Sequence, residues 1–170
     1  MAEPPFESPV STPGPTGAAL TLIDESASPK LVVRRFPDGP DGPDVAFGRA
    51  APVGGALVVG IRPDEWWVLG DGNVDMDPAL TMVDLTHGRA QFRLTGPAAT
   101  TALETVCSLD WSDPMMPNGA ATSASVAKVT CDVVRDDRDG VASYLLLVDR
   151  SFAQYLFDAL RDAAGQPSLR

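Results

Sequence analysis

The residues of this 170-residue chain that could do chemistry are few and widely spaced. His87 is the single histidine, and a metal-binding or base role would require ligands or a carboxylate close to it. The nearby acids are Asp84 and, across a turn, Asp75 and Asp77. One histidine with separated carboxylates is not a metal-ligand set, so we interpret His87 as a surface or capping residue.

Cysteine chemistry and nucleotide chemistry are equally poorly supported. Cys107 and Cys131 are too few for a disulfide framework or a zinc site. Their apolar surroundings favour two reduced core thiols, and a disulfide between them stays open because sequence does not give their separation. The chain has no glycine-rich dinucleotide fingerprint, phosphate loop or nucleophile elbow. These features argue against an autonomous nucleotide-dependent enzyme.

The composition is typical of a soluble globular domain with an acidic surface. Hydrophobic residues make up 44% of the chain, charged residues 21%, and the formal net charge is −10. This charge argues against nonspecific binding to nucleic acid or to an anionic membrane. No stretch approaches the ~20 apolar residues of a membrane span, and the N-terminus lacks the pattern of a secretory signal. We therefore expect a cytoplasmic protein with neither nucleic acid nor membrane as partner.

The elements that position these residues follow from composition and periodicity. Residues 1–17 are rich in Pro, Ser, Thr and Gly and predict a disordered tail, followed by a single domain over residues 18–166. A Pro-Asp-Gly repeat predicts a surface loop at residues 37–44. Apolar and alternating runs predict strands at residues 31–36, 56–61, 66–69, 82–85, 90–94, 123–135 and 142–148.

Two helices complete the sequence-based prediction. The first spans residues 98–107, and the last is predicted to be capped by Asp149 or Ser151 and to end at Gly165. The predicted apolar face of the last helix is Phe152, Tyr155, Leu156, Ala159 and Leu160. The order strand, helix, strand, strand, helix over residues 90–165 matches half of a split βαβ arrangement. We predict an α+β fold in which helices pack on one side of an antiparallel sheet.

Three tryptophans are candidate interface residues. Trp66 and Trp67 are adjacent on a predicted strand, so one side chain points inward and the other outward. An outward indole requires cover, either from a partner or from a loop of the same domain. Trp111 lies in a Pro-rich loop beside two methionines. We predict that Trp66, Trp67 and Trp111 form a partner interface, while cover by a loop of this domain stays open.

Several short motifs occur in a characteristic order along the chain. The run RPDEWW at residues 62–67 is followed by VDLT at 83–86, a strand ending in Gly96-Pro97, CSLD at 107–110 and Arg150-Ser151 at the last helix. This order resembles the sarcosine oxidase gamma subunit family, which is related to folate-binding aminomethyltransferases such as the glycine-cleavage T-protein. Arg62 and Trp67 replace the Gly and Leu usual in that family. The resemblance covers about residues 20–165.

The resemblance implies a folate-binding aminomethyltransferase-like fold and a non-catalytic role. In that family, chemistry with FAD, FMN, NAD and tetrahydrofolate belongs to larger flavin-binding subunits, against which the gamma subunit packs. The implied function is a structural subunit of a heterotetrameric sarcosine oxidase-like complex that binds no cofactor by itself. Such a complex oxidatively demethylates sarcosine or a related N-methyl amine and transfers the one-carbon unit to tetrahydrofolate.

Two alternatives of the same fold remain. One is a stand-alone folate-binding transferase, because Asp132 falls where aminomethyltransferases hold a carboxylate that assists one-carbon transfer. Asp84, with Thr86 and His87, is similar to an Asp-hydrophobic-Ser-His element of those enzymes. A carboxylate in such a role must be sheltered, whereas the residues around Asp132 lack the family's Gly-Gly turn and favour a solvent-facing strand Asp. The other alternative is a homo-oligomeric binding module.

Overall fold

The structure is a computed structural model that describes residues 5–165. The described residues form ten strands, two α-helices and one short 3₁₀ helix. No helix among them is long and apolar enough to cross a membrane. In chain order the elements are β1 Thr21–Asp24, β2 Lys30–Arg34, β3 Ala50–Val53, β4 Ala56–Arg62, β5 Glu65–Leu69, β6 Thr81–Asp84, β7 Arg89–Thr95, α1 Ala99–Val106, β8 Ala121–Val126, β9 Val129–Arg135, β10 Ser143–Asp149, the 3₁₀ helix Arg150–Phe152 and α2 Ala153–Ala164.

The strands form two five-stranded antiparallel sheets. Sheet 1 has the order β1-β7-β10-β9-β8, and sheet 2 has the order β3-β4-β5-β2-β6. Both helices pack on one face of sheet 1, and sheet 2 covers the other face. The predicted α+β class, with helices on one side of an antiparallel sheet, is confirmed. The prediction of a single sheet is corrected: residues 30–84 supply all five strands of sheet 2, and the strands before and after them form sheet 1.

The central strand β10 shows how the layers are held together. Tyr144 and Leu146 belong to the apolar core beneath the helices, whereas Leu145 and Leu147 belong to the core between the sheets. All four side chains are buried, as expected for a strand covered on both faces. A third apolar cluster, including Trp66 and Val68, lies on the outer face of sheet 2. Sheet 1 is therefore the middle layer of three.

Two hairpin turns test the sequence-based strand boundaries. The predicted turn at Asp139-Gly140 is confirmed, because both residues have the left-handed φ values of 51° and 77° that a tight hairpin needs. The single strand predicted over residues 123–135 is wrong. Ala127 and Lys128, with φ of 47° and 68°, form a turn that separates β8 from β9. Neither is a residue type that favours left-handed backbone, so this turn could not be predicted from residue preference.

The last helix differs from its prediction at its beginning and on its exposed side. Neither Asp149 nor Ser151 caps it, because a 3₁₀ turn precedes α2 and no side-chain cap hydrogen bond is made. Phe152 and Tyr155, predicted to be in the apolar face, are exposed. The buried face of α2 therefore differs from the predicted one. It comprises Ala153, Leu156, Phe157, Leu160 and Ala163.

The described part of the N-terminal segment, residues 5–17, lies along α2. The backbone N–H of Ser11 donates to Gln154 Oε1 at 2.8 Å, and Arg161 Nη1 donates to Thr12 Oγ1 at 2.9 Å. A short bridge between Thr16 and Thr21 leads into β1. The division into a disordered tail and a domain beginning at residue 18 stays a prediction.

Candidate functional site

Asp132 lies in the interior of the molecule, so the solvent-facing position expected from sequence is wrong. Its strand, β9, is flanked by β8 and β10, and its side chain points from sheet 1 toward sheet 2. The residue is only 6% exposed. Trp67 Nε1 donates to Asp132 Oδ2 at 2.9 Å, and Ser123 Oγ donates to Oδ1 at 2.5 Å. Both carboxylate oxygens thus accept hydrogen bonds from this chain.

The indole that binds Asp132 also contacts a cation. The guanidinium carbon of Arg89 lies 5.8 Å from the ring centroid of Trp67, within the range of a cation–π interaction. Arg89 Nη1 is 3.6 Å from Asp149 Oδ2. Trp67 therefore connects a buried carboxylate on sheet 1 to a partly exposed arginine at the mouth of the space between the sheets.

Asp84 is not brought together with Asp132. Asp84 pairs with Leu31 across β6 and β2, whereas Trp67, which binds Asp132, pairs with Val32. Because successive strand residues point to opposite faces, Asp84 lies on the outer face of sheet 2 and Trp67 on the inner face. The two carboxylates suggested for a folate site therefore point to different sides of a sheet.

The carboxylate of Asp84 has a local role in the chain. Its Oδ1 accepts the backbone N–H of Thr86 at 2.7 Å, just after β6. Hydrogen bonds from Thr86 hold the pKa of Asp84 below its ordinary value. Thr86 Oγ1 in turn accepts the backbone N–H of Lys30 at 3.0 Å. The motif that resembled the transferase element serves here to close the turn between β6 and β7.

The three tryptophans are covered by this chain. Trp66 and Trp67 point to opposite faces as predicted, but both are buried, as is Trp111. Trp66 Nε1 donates to the carbonyl of Val45 at 2.8 Å, and the loop residue Gly42 lies against its ring. A loop of the same domain therefore covers the outward indole. An interface role for Trp66, Trp67 and Trp111 stays a prediction, and their burial leaves little indole surface for a partner.

The remaining reactive residues form no cluster. Among residues 5–165, no group of three or more His, Cys, Asp or Glu side chains could hold a metal ion. His87 is exposed, and its ring lies 5.5 Å from that of Phe6. Cys107 and Cys131 are buried free thiols, as the apolar context favoured. Burial, reinforced by the charge of Asp132, raises the pKa of Cys131 to about 12, so its thiol is unreactive near neutral pH.

A row of charged residues that the sequence reasoning missed crosses the inner face of sheet 2. Glu65 begins β5, opposite Arg34 of β2 on one side and Arg62 of β4 on the other. Its buried carboxylate forms ion pairs with both arginines, including a hydrogen bond from Arg34 Nε at 3.0 Å. Burial alone would raise the pKa of Glu65, but the hydrogen bonds and charges of the two arginines outweigh it and lower the pKa.

The arginine–glutamate row borders an open depression that we call the inner-face groove. It consists of two adjoining cavities of about 250 and 240 Å³, which share Val32, Arg34 and Leu85. Arg62 and Arg89 border the first cavity, and Val83 borders the second. The groove thus has a cationic half beside an aliphatic half. The strands predicted at residues 56–61 and 66–69 leave Arg62 and Glu65 between them, and sequence alone could not place Arg34 beside these two residues.

A separate cavity of about 440 Å³ lies between the sheets at Gln91 and Arg93. Its polar groups bind each other: Arg93 Nε donates to Glu25 Oε1 at 2.8 Å, and Gln91 Nε2 donates to Glu25 Oε2 at 3.1 Å. Arg93 Nη1 also donates to Ser143 Oγ at 3.0 Å. This polar network joins the end of β1 to β7 and β10 within sheet 1 and is satisfied mainly within the chain.

Comparisons with known proteins give a fold. No protein-family model and no curated protein matches the sequence significantly. Among solved structures, a chain of heterotetrameric sarcosine oxidase from Corynebacterium sp. U-96, in complex with pyrrole 2-carboxylate, matches with a TM-score of 0.71 and 22% identity. That match covers 88% of this chain and 86% of the other.

A second solved structure is the glycine cleavage system aminomethyltransferase T from Bartonella henselae, with a TM-score of 0.61 and 13% identity. The match covers 84% of this chain but 45% of the transferase, so this chain spans less than half of that enzyme. The two matches confirm the resemblance inferred from sequence at the level of the fold. This chain has the aminomethyltransferase-like fold of a sarcosine oxidase chain.

Proposed function

We propose that this chain is a non-catalytic subunit of a heterotetrameric sarcosine oxidase-like complex. The observation that carries the proposal is the match to one chain of such an enzyme, which extends over 88% of this chain and 86% of that one. The match to aminomethyltransferase T covers a similar share of this chain but leaves more than half of the transferase unmatched. Coverage of nearly the whole of both chains, as in the sarcosine oxidase match, is what is expected between corresponding subunits.

The use of the two candidate carboxylates supports a structural role. Asp132 would have to be accessible to a pterin to assist one-carbon transfer, yet it is only 6% exposed and its oxygens already accept hydrogen bonds from Trp67 and Ser123. Asp84 lies on the opposite face of sheet 2 and accepts a backbone N–H. These contacts favour the subunit over the stand-alone folate-binding transferase.

In the proposed complex, the larger flavin-binding subunits hold FAD, FMN, NAD and tetrahydrofolate. They carry out the oxidative demethylation of sarcosine or a related N-methyl amine in the cytoplasm. This chain contributes interface area, on the order of 800 Å² per partner for a stable contact. Because the chain has a formal net charge of −10, the partner surface taken as a whole is expected to be less acidic than this chain, or the contact mainly apolar, whatever the charge of a single docked segment.

Affinity purification of the tagged chain from its native host tests the proposal. We expect a large flavoprotein in stoichiometric amount, identified by mass spectrometry and by the visible absorbance of bound flavin. Recovery of this chain alone at physiological salt would contradict the subunit role. A symmetric oligomer of this chain under the same conditions would instead support the homo-oligomeric alternative.

A titration of the isolated chain with tetrahydrofolate tests the transferase alternative separately. We expect no saturable heat of binding, because Asp132 is buried and Asp84 lies on the other face of sheet 2. Saturable binding that is lost in the Asp132→Asn variant, with the fold retained, would favour the transferase. Binding unaffected by Asp132→Asn would place a folate site elsewhere and would leave Asp132 as a structural residue.

A further inference from the structure

We propose that the inner-face groove is a docking site for an extended partner segment in which a carboxylate side chain lies next to an aliphatic one. The proposal rests on the proposed function for the identity of the partner, a larger flavin-binding subunit. Its chemistry comes from the groove itself, where aliphatic side chains adjoin three arginines.

The groove exists because sheet 1 covers the inner face of sheet 2 incompletely. Val83, Val32 and Trp67 lie in one row across β6, β2 and β5 and point to the same face. Trp67 is 2% exposed and Val32 is 9% exposed, whereas Val83 is 46% exposed. The cover therefore ends between β2 and β6, and the inner face of the edge strand is an open aliphatic surface.

The aliphatic half of the groove is suited to branched side chains. The cavity of about 240 Å³ is lined by Val32, Val83 and Leu85, with Thr81 and the stem of Arg34 at its end. Leu85 is only partly buried, although it packs against the core between the sheets. An incoming aliphatic side chain would extend that core beyond its present edge and remove apolar surface from water on both sides.

The cationic half is suited to a carboxylate. Arg34, Arg62 and Arg89 border the groove and account for three of the chain's 13 basic residues. Their paired acids are Glu65, which is shared by Arg34 and Arg62, and Asp149 beside Arg89. Of the acids near these arginines only Glu65 lines the groove, and Asp132 is buried behind Trp67, so the groove surface itself carries an excess of positive charge in a strongly acidic protein.

The arginines keep the capacity to bind an additional carboxylate. The side chains of Arg34 and Arg62 are 61% and 52% exposed, although each pairs with Glu65. A guanidinium presents five N–H donors in a rigid fork, so one carboxylate does not saturate it. Charge complementarity therefore selects an acidic segment, and the neighbouring aliphatic cavity selects one with an adjacent apolar side chain.

Adjacent residues of β6 provide a matched pair of variants. Val83 and Met82 are 46% and 47% exposed, but Met82 pairs with Val33 and lies on the outer face. Val83→Asp places a negative charge in the aliphatic half of the groove, whereas Met82→Asp places the same charge on the other side of the same strand. Because both positions are exposed on an edge strand, both variants should retain the wild-type circular dichroism spectrum and melting temperature within a few degrees.

The first measurement is the amount of flavoprotein recovered with each tagged variant from the native host. We expect Val83→Asp to lower recovery at least tenfold and Met82→Asp to change it less than twofold. The second measurement uses p-benzoylphenylalanine in place of Val83 or of Met82, followed by ultraviolet irradiation and mass spectrometry. We expect a cross-link from position 83 to a partner peptide that contains Asp or Glu beside Leu, Ile or Val.

The outcomes separate this inference from the proposed function. If the wild-type chain recovers a flavoprotein and Val83→Asp recovers it equally, the groove is not the docking site and the subunit role stands. If no flavoprotein is recovered but position 83 cross-links to such an acidic-aliphatic peptide of another protein, the groove is a docking site and the sarcosine oxidase-like role fails. A cross-link to a second copy of this chain, or none from position 83, overturns the inference.

Discussion

The buried hydrogen bond between Trp67 and Asp132 is a side-chain contact between the two sheets that should contribute measurably to the stability of the fold. Asp132→Ala would leave Trp67 Nε1, in a side chain only 2% exposed, without its acceptor. An unsatisfied buried donor costs roughly 1–3 kcal/mol, and a bond to a charged acceptor is at the upper end. Ser123 is exposed, so its hydroxyl can bond to water instead. We expect Asp132→Ala to lower the free energy of unfolding by about 2–3 kcal/mol.

A double-mutant cycle measures this contact directly. Urea unfolding of the wild type, Asp132→Ala, Trp67→Phe and the double variant should give a coupling free energy of about 1–3 kcal/mol, because either single change removes the same bond. Trp111→Phe is the matched control: Trp111 is also 2% exposed, but its Nε1 has no hydrogen-bond partner among the described residues. Trp67→Phe and Trp111→Phe remove the same ring atoms, so Trp67→Phe should cost more.

Two results would refute this reasoning. A loss below about 1 kcal/mol for Asp132→Ala would mean that the carboxylate does not hold the sheets together. A coupling energy below about 0.5 kcal/mol, with equal losses for Trp67→Phe and Trp111→Phe, would mean that the indole N–H gains nothing from Asp132. In either case the buried carboxylate would need another explanation, and folate binding would again be the first to test.

Three further predictions concern buried groups elsewhere in the chain. Burial lowers the pKa of Lys30 from 10.5 to about 8, so below pH 8 its buried charge destabilises the fold. The free energy of unfolding should therefore rise by about 1 kcal/mol between pH 7 and pH 9, and Lys30→Met should abolish that rise. Burial raises the pKa of Cys131 from 9.0 to about 12. Above pH 9 the thiol therefore ionises in the unfolded chain but not in the folded chain, and the free energy of unfolding falls. Cys131→Ala should remove this fall in urea titrations at a series of pH values. A Cβ at Gly42 would lie 2.5 Å from the ring of Trp66. Gly42→Ala should therefore displace the covering loop and increase acrylamide quenching of tryptophan fluorescence. Unchanged quenching would show that this loop does not shield Trp66.

Local features of the fold could be predicted from sequence because they depend on neighbouring residues. The alternation around Ala90–Leu94, the helix after Pro97 and the Asp139-Gly140 turn all follow from periodicity and backbone preference. The turn at Ala127 and Lys128 could not be predicted, because the left-handed backbone there is imposed by the pairing of β8 with β9. Local preference does not report such tertiary constraints.

The candidate site was harder to predict because its contacts are distant in sequence. Asp132 and Trp67 are 65 positions apart, and each was identified separately. Strand alternation shows which residues share a face, but not whether another sheet covers that face. The sequence also could not show that Arg34 and Arg62 flank Glu65. Their proximity depends on which strands pair and in which register, and neither is evident from the residues themselves.

The assignment of strands to sheets has a consequence for the order of folding during synthesis. Sheet 2 is built entirely from residues 30–84, so all its strands have left the ribosome before any strand of the helix-bearing half except β1. Its inner face, which includes Trp67, stays exposed until Val134 of β9 and Leu147 of β10 are synthesised and cover it. An early apolar sheet of this kind is prone to aggregation.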